Sequence, residues 1–404
     1  MRGALALSIL AAMAAPAQTI LPQDRAAMFF GRPDLGELVC RATGRHPTLD
    51  FSFRFRAGYL LSVPMKQYRG PGHHWYVVVQ VYPVSGGPAV AFADRFDLPP
   101  VPPTDLIAET GGAFMLGQGD YHAKFLLVDD LNRGCRAEWN IRAQPSLGEG
   151  NAKLAIPAGT IEEAGPRSAR SASAPALPSI GRMTIFLNAA GSTPDQVHAD
   201  DAITLIGALS SLLDLAPARA VRLVVFNLDK RQEIYRRENF GPDQIDEVRQ
   251  AMLNLQLGTV DVKTLQNPAG GAGMLADLVT QELHAQDPSD AVVFLGSRAW
   301  SKDKAAAIPK PGPGAPGFFY VEYMRRSFPP SSVGVGPSPS PGGLGIPAGM
   351  GRRAGTVLPS EPNARGDWSD SIHNLMDKIG GKTLVVTSPG DFASAMRRVA
   401  RRNK

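Results

Sequence analysis

The stretch Arg182–Ser192, RMTIFLNAAGS, constrains this chain more than any other. Met183–Leu187 is a short apolar run between polar residues, the pattern of a strand buried on both faces. It stops at Asn188-Ala189-Ala190-Gly191-Ser192, a loop of small and polar residues. Thr193-Pro194 then offers a hydroxyl N-cap and a proline preset for the first helical turn. Open α/β sheets place ligands outside the carboxyl ends of their strands, so this loop is where a binding site is expected.

The residues after Ile180 repeat the same alternation. Apolar runs at Val221–Phe226, Ala291–Leu295, Phe318–Tyr323 and Lys382–Thr387 read as further strands. Helices are expected over Pro194–Leu213, from Gly241-Pro242 with Ile245, Val248, Met252 and Leu255 as its stripe, and over Gly273–Ala285. Asp370–Ile379 reads as a helix stopped by Gly380-Gly381, and Ser388-Pro389 opens a last helix carrying Phe392, Met396 and Val399. Gln232–Arg237 follows the second strand too closely for a helix and reads as an antiparallel edge. The pattern predicts a doubly wound, Rossmann-like α/β domain over 181–404. Within it, 12 of the 35 prolines fall between Pro309 and Pro362, and 328–365 has no periodicity, so it reads as a disordered insertion.

The first part of the chain has period two instead. Leu49, Phe51, Phe53 and Phe55 alternate with Asp50, Ser52, Arg54 and Arg56, predicting one strand with a buried and a wet face. His74–Tyr82, Ala89–Phe96, Tyr121–Val128 and the run from Cys135 to Ala143 are further strands, with Ser85-Gly86-Gly87-Pro88 as a turn. Several short alternating strands predict an antiparallel β-sandwich over 24–143. Residues 144–180 are rich in Ala, Ser, Pro and Gly and read as a linker.

Met1–Ala17 reads as a signal peptide. Arg2 supplies the positive end, Ala4–Ala15 an apolar segment too short to span a bilayer, and Ala15-Pro16-Ala17 a cleavage site that leaves Gln18 first. Export to a periplasm or the extracellular space puts Cys40 and Cys135 in an oxidising setting, where two cysteines predict a disulfide. Cys135 shares the apolar face of its strand with Trp139, which allows a buried bridge.

Composition excludes several functions. A net charge of +5 over 404 residues is slight, and the cations Arg397, Arg398, Arg401, Arg402 and Lys404 have no interleaved aromatic residues, so nucleic acid is not an expected partner. No segment after the leader is long and apolar enough to span a membrane. Gly271-Ala272-Gly273-Met274-Leu275-Ala276 matches a dinucleotide fingerprint, but no strand leads directly into it and no acid closes the next strand. His73-His74 and His198 with Asp200 and Asp201 lack the spaced partners of a zinc site.

Three segments of the second half, Met183–Ser192, Ala269–Leu283 and Ile372–Val399, together resemble the von Willebrand factor type A family. The resemblance implies a ligand face with a metal-dependent adhesion site built from Asp-x-Ser-x-Ser, a Thr and a further Asp. Here those positions hold Asn188, Ala190, Ser192 and Ala272, with Gly296 or Ser297 at the last. Mg²⁺ prefers oxygen ligands with at least one carboxylate, and none stands at these positions. The resemblance therefore implies a degenerate domain with no metal and no cofactor. Together with the expected leader, it implies an exported, non-enzymatic binding or structural role toward an unknown protein or cell-envelope partner. The competing expectation is an exported hydrolase using Ser192, Ser297 or a histidine.

Overall fold

A computed structural model describes residues 19–70, 72–98, 105–146, 149, 152–165, 180–190, 199–255, 270–301, 308–323, 334–336 and 369–401. The expected leader 1–17, residues 166–179 of the linker, Ser192 and nearly all of 328–365 lie outside these residues.

The first half builds two facing sheets. Its strands are β1 (Thr19–Leu21), β2 (Gly36–Glu37), β3 (Arg41–Leu49), β4 (Phe55–Pro64), β5 (His74–Pro83), β6 (Val90–Asp97), β7 (Ile107–Leu116), β8 (Gly119–Asp129), β9 (Arg133–Ala143) and β10 (Ile161–Glu163). One sheet has the order β1-β6-β5-β8-β9-β2, antiparallel except for the parallel pair β2–β9. The other has the order β10-β7-β4-β3. Period-two alternation explains the core between them: Phe55, Ala57, Tyr59, Leu61 and Val63 from β4 meet Trp75, Val77, Val79 and Val81 from β5. Tyr121, Ala123, Phe125 and Leu127 of β8 complete that layer. Cys40, just before β3, is bridged to Cys135 of β9 with their Cα atoms 6.1 Å apart, so the disulfide ties the two sheets together.

The β4–β7 pair uses glycine for close approach. A Cβ on Gly58 would lie 2.1 Å from the Gly112 carbonyl oxygen, and one on Gly112 would lie 2.5 Å from the Tyr59 ring. The missing side chains leave room for Tyr59, whose hydroxyl donates to Asp94 Oδ2 at 3.2 Å.

The expected continuous strand through Leu49–Arg56 is corrected. Residues 50–54 form a tight turn in which Phe53 N donates to the Asp50 carbonyl and Asp50 N to the Arg54 carbonyl. The Asp50 carboxylate accepts from Ser52 N at 2.8 Å, the local side-chain-to-backbone bond that favours turns over strands. Phe53 takes a left-handed backbone with φ 58°. The expected wet face is absent as well, since Ser52, Arg54 and Arg56 are buried.

The third sheet contains β11 (Ile180–Asn188), β12 (Ala218–Asn227), β13 (Gln232–Arg237), β14 (Ala291–Gly296), β16 (Gly317–Tyr323) and β19 (Lys382–Val386). Its order is β13-β12-β11-β14-β16-β19, parallel throughout except for β13. The short strands β15 (Trp300–Ser301) and β18 (Ser369–Asp370) pair with each other, and β17 (Gly334–Gly336) pairs with β7. Met183, Ile185 and Leu187 point into a core shared with the helices Ala199–Leu215, Ile245–Leu253 and Pro389–Arg401. Phe186 and Phe294 point the other way, toward the helices Gly270–Leu283 and Ser371–Ile379.

The expected fold class is corrected. Strands take 44% of the described residues and helices 26%, in a molecule of three large sheets with few helices, and the C-terminal half is not a doubly wound α/β domain. The antiparallel edge expected at Gln232–Arg237 is β13, entered through a turn at Arg231 with φ 52°. The physical reason lies elsewhere in the sheet. The sheet face carrying Met183, Ile185 and Leu187 also shares its core with Phe51 and Phe53 of the first half, so it is not closed by its own helices alone.

Candidate ligand face at the strand ends

Asn188 closes β11 and is only 1% exposed. Its Oδ1 accepts from Leu228 N at 3.4 Å, and its Nδ2 has no hydrogen-bond partner among the described residues. Neighbouring Asn227 closes β12 and ties the two loops: its Nδ2 donates to the Ala189 carbonyl at 2.8 Å, while its Oδ1 accepts from Lys230 N at 2.8 Å. Asparagine suits both places because a short amide can donate and accept within one turn.

Gly296 closes β14 directly against Asn188, where an added Cβ would lie 2.9 Å from the Asn188 Cβ. Ser297 follows, and its carbonyl accepts the Tyr320 hydroxyl at 3.1 Å. Ala272 is buried in the first turn of the helix Gly270–Leu283. Of the residues singled out from sequence, the structure thus joins Asn188 with Gly296 and sets Ser297 beside them, while Ser192 lies outside the described residues. Gly271–Ala276, the dinucleotide-like motif, opens that same helix, and residues 256–269 that lead into it lie outside the described residues. Asp201 is buried in the helix Ala199–Leu215, and His198 is not described.

Sequence reasoning missed the charged network beside Ser297. Arg298 Nε donates to Glu322 Oε1 at 2.5 Å, and Glu322 is 3% exposed. Asp370 caps the helix Ser371–Ile379, its Oδ1 accepting from Ile372 N at 3.0 Å and His373 N at 3.3 Å. Asp370 Oδ2 accepts the Tyr320 hydroxyl at 3.2 Å, and Ala299 N approaches Oδ1 at 3.4 Å. The signal was present in the sequence: Glu322 is a lone carboxylate in the apolar run FFYVEY, and buried charges in such runs need a partner.

Burial raises the Asp370 carboxyl above its usual range, and the nearby Glu322 charge raises it further, against the hydrogen bonds from His373, Ile372 and Ala299. Burial followed by the charges of Asp370 and Glu322 holds the Tyr320 hydroxyl well above the usual phenol range. Tyr320 therefore keeps its proton and acts as a fixed donor, not as a base. His373 points elsewhere, with Nδ1 3.3 Å from Thr383 Oγ1 and Nε2 3.7 Å from Asp377. No three His, Cys, Asp or Glu side chains group as a metal site among the described residues. Chemically, this is a pre-set hydrogen-bonding platform.

No family model matches the chain, and no curated protein matches it. Among solved structures, 26% of the chain is similar to 80% of a superoxide reductase (neelaredoxin) from Ignicoccus hospitalis, at 11% identity and a TM-score of 0.19. A variant of that protein is matched over 30% of this chain and 91% of its own, at 10% identity and the same TM-score of 0.19. Likeness at that level carries no argument about fold or function.

Proposed function

We propose that this is an exported, non-enzymatic protein that binds a protein or cell-envelope partner through the strand-end face of its third sheet, without a metal ion. The observation that carries the reading is the packing of Asn188 against Gly296. In the von Willebrand factor type A family, which Met183–Ser192 resembles, these positions belong to a metal-dependent site. Here they form a closed contact whose Asn188 amide is spent partly on Leu228 N. What faces outward nearby is Ser297 and Arg298, held in place by Tyr320 and Glu322. A rigid polar rim of this kind supplies orientation, which is what specific binding needs, and Tyr320 and Glu322 are already engaged in holding it.

Export is supported by the Cys40–Cys135 bridge, since disulfides persist in oxidising compartments. No described helix is long and apolar enough to cross a membrane.

Site-specific photo-crosslinking from position 298 in intact cells tests the proposal. One discrete adduct is expected, and it should be absent when the crosslinker is moved to Arg95, on the outer face of the first sheet. Labelling of the purified protein by a fluorophosphonate serine probe, lost in Ser297→Ala or Ser192→Ala, would establish the hydrolase reading in its place.

A further inference from the structure

A second site lies at the opposite end of the same sheet. Three adjacent strands each send an arginine to one sheet face: Arg182 from β11, Arg222 from β12 and Arg236 just before the end of β13. With the helix Gly270–Leu283 they enclose a cleft of about 480 Å³, within the range of small-molecule sites.

The three guanidinium groups differ in how firmly they are held. Glu282, 2% exposed, accepts from Arg222 Nη1 at 2.7 Å, from Thr184 Oγ1 at 3.0 Å and from Ser289 N at 3.2 Å. Arg222 also donates to Glu238 at 2.6 Å, so it is a fixed wall. Arg182 instead approaches Glu238 at 3.8 Å and Asp287 at 3.6 Å, both beyond hydrogen-bond length. Arg236 is held too, its Nε and Nη2 donating to the two carboxylate oxygens of Glu233 at 2.9 and 2.6 Å and its Nη2 to Gln281 Oε1 at 3.2 Å. Arg182 is therefore the guanidinium whose planar fork an incoming carboxylate can take.

The acids decide what else the ligand must carry. Glu238 and Asp287 face the same cleft and are 51% and 77% exposed. A ligand carrying only negative charge meets their repulsion, whereas an ammonium group near its carboxylate is matched by them. Phe186 and Leu278 form an apolar floor. We infer that the cleft binds a free α-amino acid with an apolar side chain, its carboxylate on Arg182, its ammonium toward Glu238 and Asp287, and its side chain on Phe186 and Leu278.

Calorimetric titration of the full chain with L-leucine, 4-methylpentanoate and 3-methylbutylamine tests this, since the last two each lack one charged group. Leucine is expected to bind and the two analogues to bind at least about tenfold more weakly, the loss of one charge-assisted contact. Arg182→Gln is expected to weaken leucine by about tenfold or more by the same loss, with the ligand-free melting temperature unchanged. Absence of leucine binding, equal binding of either analogue, tighter binding of inorganic phosphate, or an unaffected Arg182→Gln variant would each overturn the assignment.

Discussion

The rings of Phe51 and Phe392 lie 5.4 Å apart, centroid to centroid, joining a turn of the first pair of sheets to the last helix of the chain. Tyr323 of β16 completes the contact at 5.7 Å from Phe51. Next to them, Gly207 of the helix Ala199–Leu215 meets Ser52, where an added Cβ would be 3.3 Å from the Ser52 Cβ. The turn is braced from behind: Arg54 donates to Ser52 Oγ at 2.9 Å and to Glu162 at 3.1 Å. The turn therefore ties the first pair of sheets to the core of the third, and the whole is expected to unfold cooperatively.

Phe51→Ala is expected to cost about 3–5 kcal/mol, the usual range for emptying a buried phenylalanine site. Calorimetry should show one transition in the parent protein. In the variant the transition should fall and broaden, because the turn no longer couples the sheets. An unchanged melt would mean that Phe51 fills space without coupling anything.

Reducing the Cys40–Cys135 bridge frees a loop with a sequence separation of 95 residues. The chain-entropy relation gives a loss of about 4–5 kcal/mol. Urea unfolding with and without reductant, monitored by tryptophan fluorescence, measures it directly.

Gly58→Ala places a methyl group 2.1 Å from the Gly112 carbonyl oxygen in a strand pair buried on its inner face. Neither backbone can retreat without breaking the β4–β7 ladder, so a cost of about 3 kcal/mol or more is expected. Gly312→Ala, with nothing within 4 Å of the added atom, should stay within about 0.5 kcal/mol of the parent and serves as the control.

Asp370 gives a pH test with a definite sign. Its folded pKa lies above the ordinary 3.8, raised first by burial and then by Glu322. Its contribution to stability is therefore full below the ordinary value and is lost as the pH climbs through the raised folded value. Asp370→Asn keeps an oxygen for Ile372 N and His373 N but removes the buried charge. It should melt higher than the parent at neutral pH and depend less on pH through the weakly acid range. Asp370→Ala removes the cap and should lose about 1 kcal/mol.

For the strand-end face, titration with Mg²⁺ or Mn²⁺ should give no binding heat, and EDTA should not move the melting temperature. Asn188 offers a neutral amide, and Ala272 and Gly296 offer no side-chain oxygen, so the face supplies little to replace water on so strongly hydrated an ion. Micromolar binding abolished by Ser192→Ala would restore metal-dependent adhesion as the function.

Much of the local structure was written in the chain. Period-two alternation placed β5, β6, β8 and β9, apolar runs placed β11, β12, β14, β16 and β19, and Asp370 and Gly380 mark the two ends of one helix through their cap chemistry. Such signals are local, since each depends on the neighbours of a residue along the chain. Tertiary structure decided the rest. Leu49, Phe51, Phe53 and Phe55 carry an alternation that a strand and a tight turn can both satisfy. Which one forms depends on a distant core that takes Phe51 and Phe53, and on Asp50 closing the turn. The same distance hid Glu322 and Arg298, which are 24 residues apart in sequence, and the arginine cleft drawn from three adjacent strands. Periodicity reports which residues are buried, but not against what, and the charged networks and the entry of Phe51 and Phe53 into the third sheet's core are set by that second choice.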